Sequence, residues 1–573
     1  MQRSKQPGSR LWIAGVSTAL VLFGCEAQQL SQQSANSNQA YPAETKSKGV
    51  PADTLGALAD PQAAAAPAPA TSYPPLVITK AVIEPGYERV VIGGAVGAIP
   101  IDTETYAPIN ETPIKQVAEA PVSTFSIDVD TGAYANVRRF LMNGQLPPKD
   151  AVRVEEMINY FAYDYPAPDG EQPFRVTTSV ARTPWNAETY LLHVGIKGYQ
   201  PPQGERPPAN LVFLVDVSGS MADADKLPLL KSGMKLLADQ LRDDDQVSIV
   251  VYAGAAGLVL EPTPGKDKEK IKAALDNLNA GGSTAGGEGL QLAYATAKQA
   301  MIAGGINRVI LATDGDFNVG VTSIDQLKAM IEEARESDVS LTTLGFGEGN
   351  YNDALMEQVA DVGNGNYGYV DSIKEAKRLL IDQLSGTIQT IAKDVKIQIE
   401  FNPAVVDEYR LIGYENRALN REDFNNDKKD AGEIGAGHTV TAIYEIALKG
   451  SKGLRVDPLR YGGQSDGRPD PNATEFAFLR LRYKAPDGDV SKLIESPLSV
   501  AALKDTGEAP ADARFAVAVA AFGQKLRGGD YLGAFGFAQI AEAARASRGS
   551  DEDGYRAEFI ELVEIAEVLK PGD

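Results

Sequence analysis

Acidic and hydroxyl side chains follow one strongly apolar stretch of the chain at regular spacing. The run LVFLVDVSGS ends its apolar part at Asp216 and then places hydroxyls at Ser218 and Ser220. Side chains at alternate positions of an extended segment point the same way, so both hydroxyls can face one ligand. Oxygen donors of these kinds, together with water, are what a hard divalent cation such as Mg²⁺ accepts. The stretch therefore predicts a divalent-metal site.

Two further segments supply side chains of the same chemistry. Thr284 lies in GGSTAGGEG, where glycines let the backbone approach closely, and Asp314 follows the apolar run RVILAT. In an open α/β sheet, ligands bind at the carboxyl ends of the strands, so we expect Asp216 and Asp314 side by side. Taken singly, each acid could cap a strand end and each hydroxyl could belong to a turn. Agreement among three separate segments favours the metal.

The segments around these residues predict an α/β domain. Four apolar runs without polar alternation, LVFLVD, VSIVVYA, RVILATD and SLTTLGFG, indicate strands covered on both faces, as in a parallel sheet. Ser323 and Gln326 fit a capping box for the helix predicted to start near Ile324. We predict a doubly wound, Rossmann-like parallel-sheet domain over residues 208–385. Apolar residues spaced by three and four predict its helices: Leu227, Leu230, Met234, Leu237 and Leu241, then Leu290, Tyr294, Ala297 and Met301, then Ile324, Leu327, Ile331 and Ala334.

The order Asp-x-Ser-x-Ser, then Thr, then Asp resembles the metal-ion-dependent adhesion site (MIDAS) of von Willebrand factor type A (VWA) domains. The resemblance implies that the hydroxyls bind the metal directly while the acids act largely through water. Because neutral hydroxyls leave most of the charge of Mg²⁺ uncancelled, the site would capture an Asp or Glu of a partner protein. Mn²⁺ and Ca²⁺ are the alternative metals. The five positions are filled here by Asp216, Ser218, Ser220, Thr284 and Asp314.

The stretches on either side of this domain extend the resemblance. FSIDVDTGAYANVRRF and YRLIGYENRALNREDF resemble the modules that precede and follow the VWA domain in a family of bacterial secreted lipoproteins. Some members of that family are labelled calcium-activated chloride channel homologues. We therefore expect an N-terminal VWA-associated domain over residues 121–207 and a C-terminal one, β-rich and then helical, over residues 386–573. The flanking strands should pack together, which would make the VWA domain an insertion in a β-rich domain.

The first residues predict export and lipid attachment. A basic start and an apolar core indicate a signal peptide over residues 1–25, and its ending LFGC resembles a bacterial lipoprotein box. Cys25, the only cysteine, is the expected lipidation site. With Glu26 in the next position, the resemblance implies the outer membrane, facing the periplasm or the surface. Since no later apolar run reaches membrane-spanning length, we expect lipid alone to hold the chain.

A tether is expected after the signal. Residues 26–120 are rich in Ala, Pro, Gln and Ser, a composition that cannot offset chain entropy, so they should be disordered. Short apolar pieces between residues 76 and 109 are compatible with a hairpin or with a docking segment, and the sequence does not decide between them.

Composition excludes several classes of function. The net charge of −22 argues against nucleic acid, whose phosphates need Lys and Arg, and against electrostatic attachment to anionic lipid. His193 and His438 are the only histidines, which leaves little room for histidine catalysis or a zinc cage. The chain contains no P-loop motif, and GFGEGN at residues 345–350 is best interpreted as a tight turn.

Two other acidic motifs are weaker candidates for a site. DFNNDKKDAGEIG resembles a calcium loop that starts at Asp423, but Lys428 replaces the required glycine and Ile434 the bidentate glutamate. A solvated acidic loop is the better interpretation. Asp128 and Asp130 could suggest a phosphotransfer aspartate, yet they lie outside the α/β domain and no paired motif accompanies them.

These observations favour a non-enzymatic protein: a lipid-anchored binding or scaffold protein of the cell envelope. A regulatory subunit of an envelope or ATPase-linked complex is the alternative. A metal-dependent hydrolase is disfavoured because the two acids near the metal are already committed to it, which leaves no obvious general base.

Overall fold

A computed structural model describes a large part of the chain, all of it within the unit Leu76–Asp573. The signal peptide, Cys25, Ser323 and Thr284 lie outside the described residues. The described residues are 80–84, 87–92, 95–100, 103–170, 172–202, 206–282, 286–315, 324–335, 337–383, 386, 388–457, 473–504 and 508–570.

Strands and helices are numbered in chain order. The strands are β1 Lys80–Glu84, β2 Tyr87–Ile92, β3 Ala95–Pro100, β4 Lys115–Gln116, β5 Val122–Ser126, β6 Phe174–Thr183, β7 Asn186–Gly198, β8 Ala209–Asp216, β9 Gln246–Tyr252, β10 Ala256–Pro264, β11 Ile306–Thr313, β12 Ser340–Phe346, β13 Tyr367–Val370, β14 Thr390–Phe401, β15 Val406–Ile412, β16 Ile434–Gly435, β17 Thr439–Leu448, β18 Glu475–Lys484 and β19 Ser491–Ser499. The helices are α1 Gly132–Met142, α2 Val154–Asn159, α3 Leu227–Gln240, α4 Lys268–Asp276, α5 Gly286–Gln299, α6 Ile324–Arg335, α7 Asp353–Val362, α8 Ile373–Lys377, α9 Ala501–Lys504, α10 Ala511–Arg527, α11 Phe537–Ser547 and α12 Tyr555–Leu569. Short helical turns are Lys149–Ala151, Gly219–Ala222, Arg378–Asp382, Glu415–Arg417 and Arg421–Asn425.

The central sheet has the strand order β10-β9-β8-β11-β12-β13. Its strands β8, β9, β11 and β12 are parallel, as predicted, and their buried runs are covered on both faces. The short strand β13, which was not predicted, is also parallel. At one edge β10 is antiparallel to β9, which makes the sheet mixed rather than purely parallel. Residues 253–255 separate these two strands, a connection too short for a parallel crossover.

Helices cover both faces of this sheet. One apolar core includes Leu230, Met234 and Leu237 of α3 together with residues of α4 and α8. The core on the other face includes Leu290 of α5 and residues of α6 and α7. The doubly wound prediction is therefore confirmed. Met301, which the spacing placed on the buried face of α5, lies beyond the end of that helix and is exposed.

Strands from before and after the VWA domain share two further sheets. One sheet has the order β4-β15-β17-β7-β6, and the other has the order β16-β14-β18-β19 with β5 paired to β14. β7 and β17, which are adjacent and antiparallel, come from opposite sides of the VWA domain in sequence. The predicted insertion of the VWA domain in a β-rich flanking domain is thus confirmed. Helices α10, α11 and α12 form the predicted helical end of the chain. Aromatic rings pack in their core, and the ring centroids of Phe515 and Phe559 are 5.4 Å apart.

Part of the predicted tether is folded onto the rest of the molecule. The sequence places residues 26–120 in a disordered stretch, yet the Thr103 N–H donates to the carbonyl of Gly349 at 2.8 Å. Glu104 forms an ion pair of 2.7 Å with Arg139 of α1, and these side chains are only 3% and 10% exposed. The composition of this stretch does not indicate that Glu104 contacts Arg139, which is distant in sequence. The ordered part of the chain therefore begins earlier than the sequence predicts.

The stretch that the sequence left undecided contains β1, β2 and β3. These strands pair with one another in an antiparallel sheet in the order β1-β2-β3, which is the hairpin alternative extended by one strand. Among the described residues, no helix is both long enough and apolar enough to cross a lipid bilayer.

Candidate metal site

Asp216 is fully buried at the carboxyl end of β8 and is held in place by hydrogen bonds. One carboxylate oxygen accepts from the backbone N–H of Ser218 at 2.8 Å. The other accepts from the hydroxyls of Tyr252 at 3.1 Å and Thr313 at 2.9 Å. Burial raises the pKa of the Asp216 carboxyl, and the negative charge of Asp314 raises it further. A cation between these two acids would relieve both effects.

The two serine hydroxyls lie together beside this carboxylate. Ser218 has an extended backbone with φ −60° and ψ 167°, and the turn Gly219–Ala222 follows it. Its Oγ is 3.0 Å from the Oγ of Ser220. Neighbouring oxygens of a regular octahedron with Mg–O bonds of about 2.1 Å are about 3.0 Å apart. The spacing therefore suits two adjacent ligands of one Mg²⁺ ion.

The glycine-rich loop that contains Thr284 is attached to this motif through its flanks. The N–H of Gly281 donates to the carbonyl of Val217 at 2.7 Å, and the N–H of Gly219 donates to the carbonyl of Gly282 at 3.1 Å. Gly282 has φ +93°, a conformation that favours glycine. On the other side α5 begins at Gly286. These contacts place Gly281 and Gly282 beside Val217 and Gly219, at the carboxyl end of β8.

Asp314, the second acid, follows β11 and is fully buried. One of its carboxylate oxygens lies 3.0 Å from the Nζ of Lys226 and 3.3 Å from the side-chain nitrogen of Asn350. Lys226 also donates to Asn350 at 3.4 Å. Neither residue was predicted from the sequence. GFGEGN was the available signal for Asn350: the motif contains the end of β12, and the loop that follows this strand must lie at the same edge as the other strand ends.

The donor set fits a hard cation. In the described part of the chain, no group of three or more His, Cys, Asp or Glu side chains is arranged to hold a metal ion. The oxygens at this edge belong to Asp216 and Asp314 and to the hydroxyls of Ser218 and Ser220, so a cation there would be held by these groups and by water. Mg²⁺ accepts such all-oxygen surroundings and readily keeps several waters.

The calcium-like loop has other hydrogen-bond partners. Asp423 accepts from the backbone N–H of Asn420 at 3.0 Å. Asn425 and Asp427 both accept from Arg482 of β18, at 3.2 and 2.9 Å. Asp423 thus binds the backbone, while Asn425 and Asp427 share one guanidinium, which agrees with the interpretation as a solvated acidic loop.

The remaining candidates also have structural partners. Asp128 and Asp130 bind the guanidinium of Arg417 at 3.1 and 3.2 Å. His193 is buried and its Nε2 is 2.9 Å from the hydroxyl of Tyr165. Burial lowers the pKa of His193 to about 4, so this ring is neutral in the fold. These residues serve packing and ion pairing between elements.

Comparisons with known proteins agree with the class of protein that this fold defines. The family model of the von Willebrand factor type A domain matches residues 210–382, and a model described as von Willebrand factor matches residues 100–193. A third model, for the C-terminal part of "Uncharacterized protein YfbK", matches residues 386–569. The chain is a VWA-domain protein. VWA domains generally mediate protein–protein interaction and often bind a metal through a MIDAS motif.

The particular family follows from the relatives. The chain is 48% identical over 473 residues to YfbK of Escherichia coli (strain K12), and the aligned region covers 81% of each protein. The chain belongs to the YfbK family. It is also 29% identical over 185 residues to sll0103 of Synechocystis, across 32% of this chain and 43% of that protein. Proximal thread matrix protein 1 from the mussel byssus, solved with a zinc-occupied MIDAS motif, is 24% identical over 31% of this chain and 45% of its own, with a TM-score of 0.26.

Proposed function

We propose that the protein is a lipid-anchored binding protein of the cell envelope whose VWA domain engages an Asp or Glu of a partner protein through a bound metal. The metal is Mg²⁺, with Mn²⁺ and Ca²⁺ as alternatives. Its binding residues are Asp216, Ser218, Ser220, Thr284 and Asp314.

One observation carries this proposal: the fixed Asp216 carboxylate lies beside two hydroxyls that are 3.0 Å apart at the strand-end edge of the sheet. The hydrogen bonds from Ser218, Tyr252 and Thr313 hold the carboxylate in one orientation. A site whose shape is set before the metal arrives loses little entropy on binding. Hydroxyl ligands leave the cation with most of its charge, and this charge attracts an anionic ligand from outside.

The same contacts favour binding over hydrolysis. A general base must be able to accept a proton from a water that it contacts. Both oxygens of Asp216 already accept hydrogen bonds from protein groups. Asp314 is bound by Lys226 and Asn350. The two acids therefore serve to bind a cation and not to accept a proton, which supports the proposal of a non-enzymatic binding protein.

Calorimetric titration with MgCl₂ and MnCl₂ tests the metal site. Asp216→Asn keeps the shape of the side chain but removes its charge, and we expect the metal affinity to fall by about tenfold to hundredfold. Asp216→Ala should abolish binding. Asp423→Asn, in the acidic loop, is the matched control and should bind as the wild type does. Unchanged affinity in both Asp216 variants would overturn the assignment.

Cell fractionation tests the anchor, and crosslinking tests the partner. Replacement of the only cysteine, Cys25→Ser, should move the protein from the membrane fraction to the soluble fraction. Retention of this variant in the membrane fraction would contradict lipid anchoring. Crosslinking in cells, with the wild type compared with Asp216→Ala, should yield a partner that only the wild type captures. Equal capture by both proteins would argue against recognition through the metal.

A further inference from the structure

A buried lysine lies directly beside the proposed metal site. Lys226 precedes α3, and only 5% of the residue is exposed. Its ammonium group is 3.0 Å from Asp314 and 3.4 Å from Asn350. A cation placed in contact with a proposed metal-binding acid works against the metal by electrostatic repulsion. This position therefore needs a reason other than metal affinity.

The neighbouring loop is shaped around the stem of this lysine. Gly347 has φ +72°, and a Cβ at that position would lie 2.1 Å from the Cε of Lys226. The carbonyl of Gly347 accepts a hydrogen bond of 2.6 Å from the hydroxyl of Tyr369 on β13, which fixes the loop. Asn350, in the same loop, bonds both Lys226 and Asp314. The lysine thus occupies a defined place between α3 and the β12–α7 loop.

The charge of the site depends on this residue. Asp216 and Asp314 together carry two negative charges, which a divalent metal cancels. With Lys226 included, the loaded site keeps one net positive charge. Without it, the loaded site is neutral. Because attraction of an anion grows with this net charge, the lysine favours a carboxylate over water as the last ligand of the metal.

We infer that Lys226 is a specificity-determining residue that weakens metal binding and strengthens the binding of a partner carboxylate. The inference rests on the proposed function of the site. Its distinctive consequence is that one substitution changes the two affinities in opposite directions. A lysine that only stabilised the fold would change both in the same direction or neither.

The experiment uses the full chain and two probes. Calorimetry with MnCl₂ measures the affinity for the metal. Displacement of Mn²⁺-bound water by acetate, followed by water-proton relaxation, measures the affinity for a carboxylate. For Lys226→Met we expect about tenfold tighter Mn²⁺ binding and about tenfold weaker acetate binding. Lys226→Gln is neutral but can still donate a hydrogen bond to Asp314. Like Lys226→Met, it should bind Mn²⁺ more tightly and acetate more weakly than the wild type.

The control is on α3, the helix that Lys226 precedes. Lys231 of α3 donates to the carbonyls of Asp276 and Leu278 rather than to the two acids, so Lys231→Met should leave both affinities unchanged. Folding of each variant is checked by circular dichroism, and Lys226→Gln stands in if Lys226→Met does not fold. Mn²⁺ and acetate affinities equal to those of the wild type in the folded neutral variant would overturn the inference. If neither the wild type nor any variant binds Mn²⁺, the proposed function itself is wrong.

Discussion

Arg417 lies at the junction of the three parts of the fold, and its removal should weaken the whole molecule. The guanidinium contacts Asp128 and Asp130, which precede α1, at 3.1 and 3.2 Å. It also contacts Glu357 at 3.4 Å and Asp361 at 2.5 Å, both on α7 of the VWA domain. Arg417 itself follows β15 and is 11% exposed. One side chain therefore joins the N-terminal segment, the VWA domain and the C-terminal β-rich segment.

The size of the effect follows from burial. Breaking a buried ion pair by removal of one partner costs about 3–5 kcal/mol, because the remaining charge is left without compensation. Arg417→Met removes this guanidinium from three buried acids, Asp128, Asp130 and Glu357, and from Asp361, whose side chain is 40% exposed. We expect the free energy of unfolding to fall by about 3 kcal/mol or more at pH 7. Arg545→Met is the matched control. Its ion pair with Glu564 is half exposed, and a pair of that kind contributes about 0–1 kcal/mol.

Urea unfolding, followed by circular dichroism at several pH values, measures both variants. Burial raises the pKa of Asp130 and of Asp361, so these carboxyls gain protons more readily than exposed ones as the pH falls. A protonated carboxyl needs no counter-charge, and the loss in Arg417→Met should therefore shrink at lower pH. A loss at pH 7 no larger than that of Arg545→Met would refute the view that this arginine holds the three parts together.

Two further predictions concern buried carboxylates elsewhere. Burial raises the pKa of Glu155 to about 8, and the charge of Glu415 adds to the effect. This carboxyl therefore contributes stability at low pH that is lost as the pH rises through about 8. In urea unfolding at pH 9, Glu155→Gln should gain stability relative to the wild type. The same dependence of unfolding free energy on pH in both proteins would contradict this. Glu104→Gln breaks the buried ion pair with Arg139 and should lower the free energy of unfolding by about 3 kcal/mol in the same assay. A loss below about 1 kcal/mol would mean that this contact does not hold residues 103–105.

Much of the VWA domain was predictable because its signals are local. A buried parallel strand is an unbroken apolar run, and an amphipathic helix repeats its apolar residues every three or four positions. These patterns gave β8, β9, β11, β12 and the buried faces of the helices around them. The strand-end rule for α/β sheets then indicated that Asp216 and Asp314 share one edge. Local patterns did not indicate that β10 is antiparallel, since its orientation depends on a short turn.

The residue types of the candidate site and their order along the chain can be read from the amino-acid sequence. The side chains that surround this site depend on how distant elements pack. Lys226 meets Asp314 across 88 positions, and Arg417 meets Asp128 across 289. Such contacts form only when separate elements pack, and no periodicity along the chain records them. The net charge beside the proposed metal is therefore a property of the folded molecule, although each contributing residue is visible in the sequence.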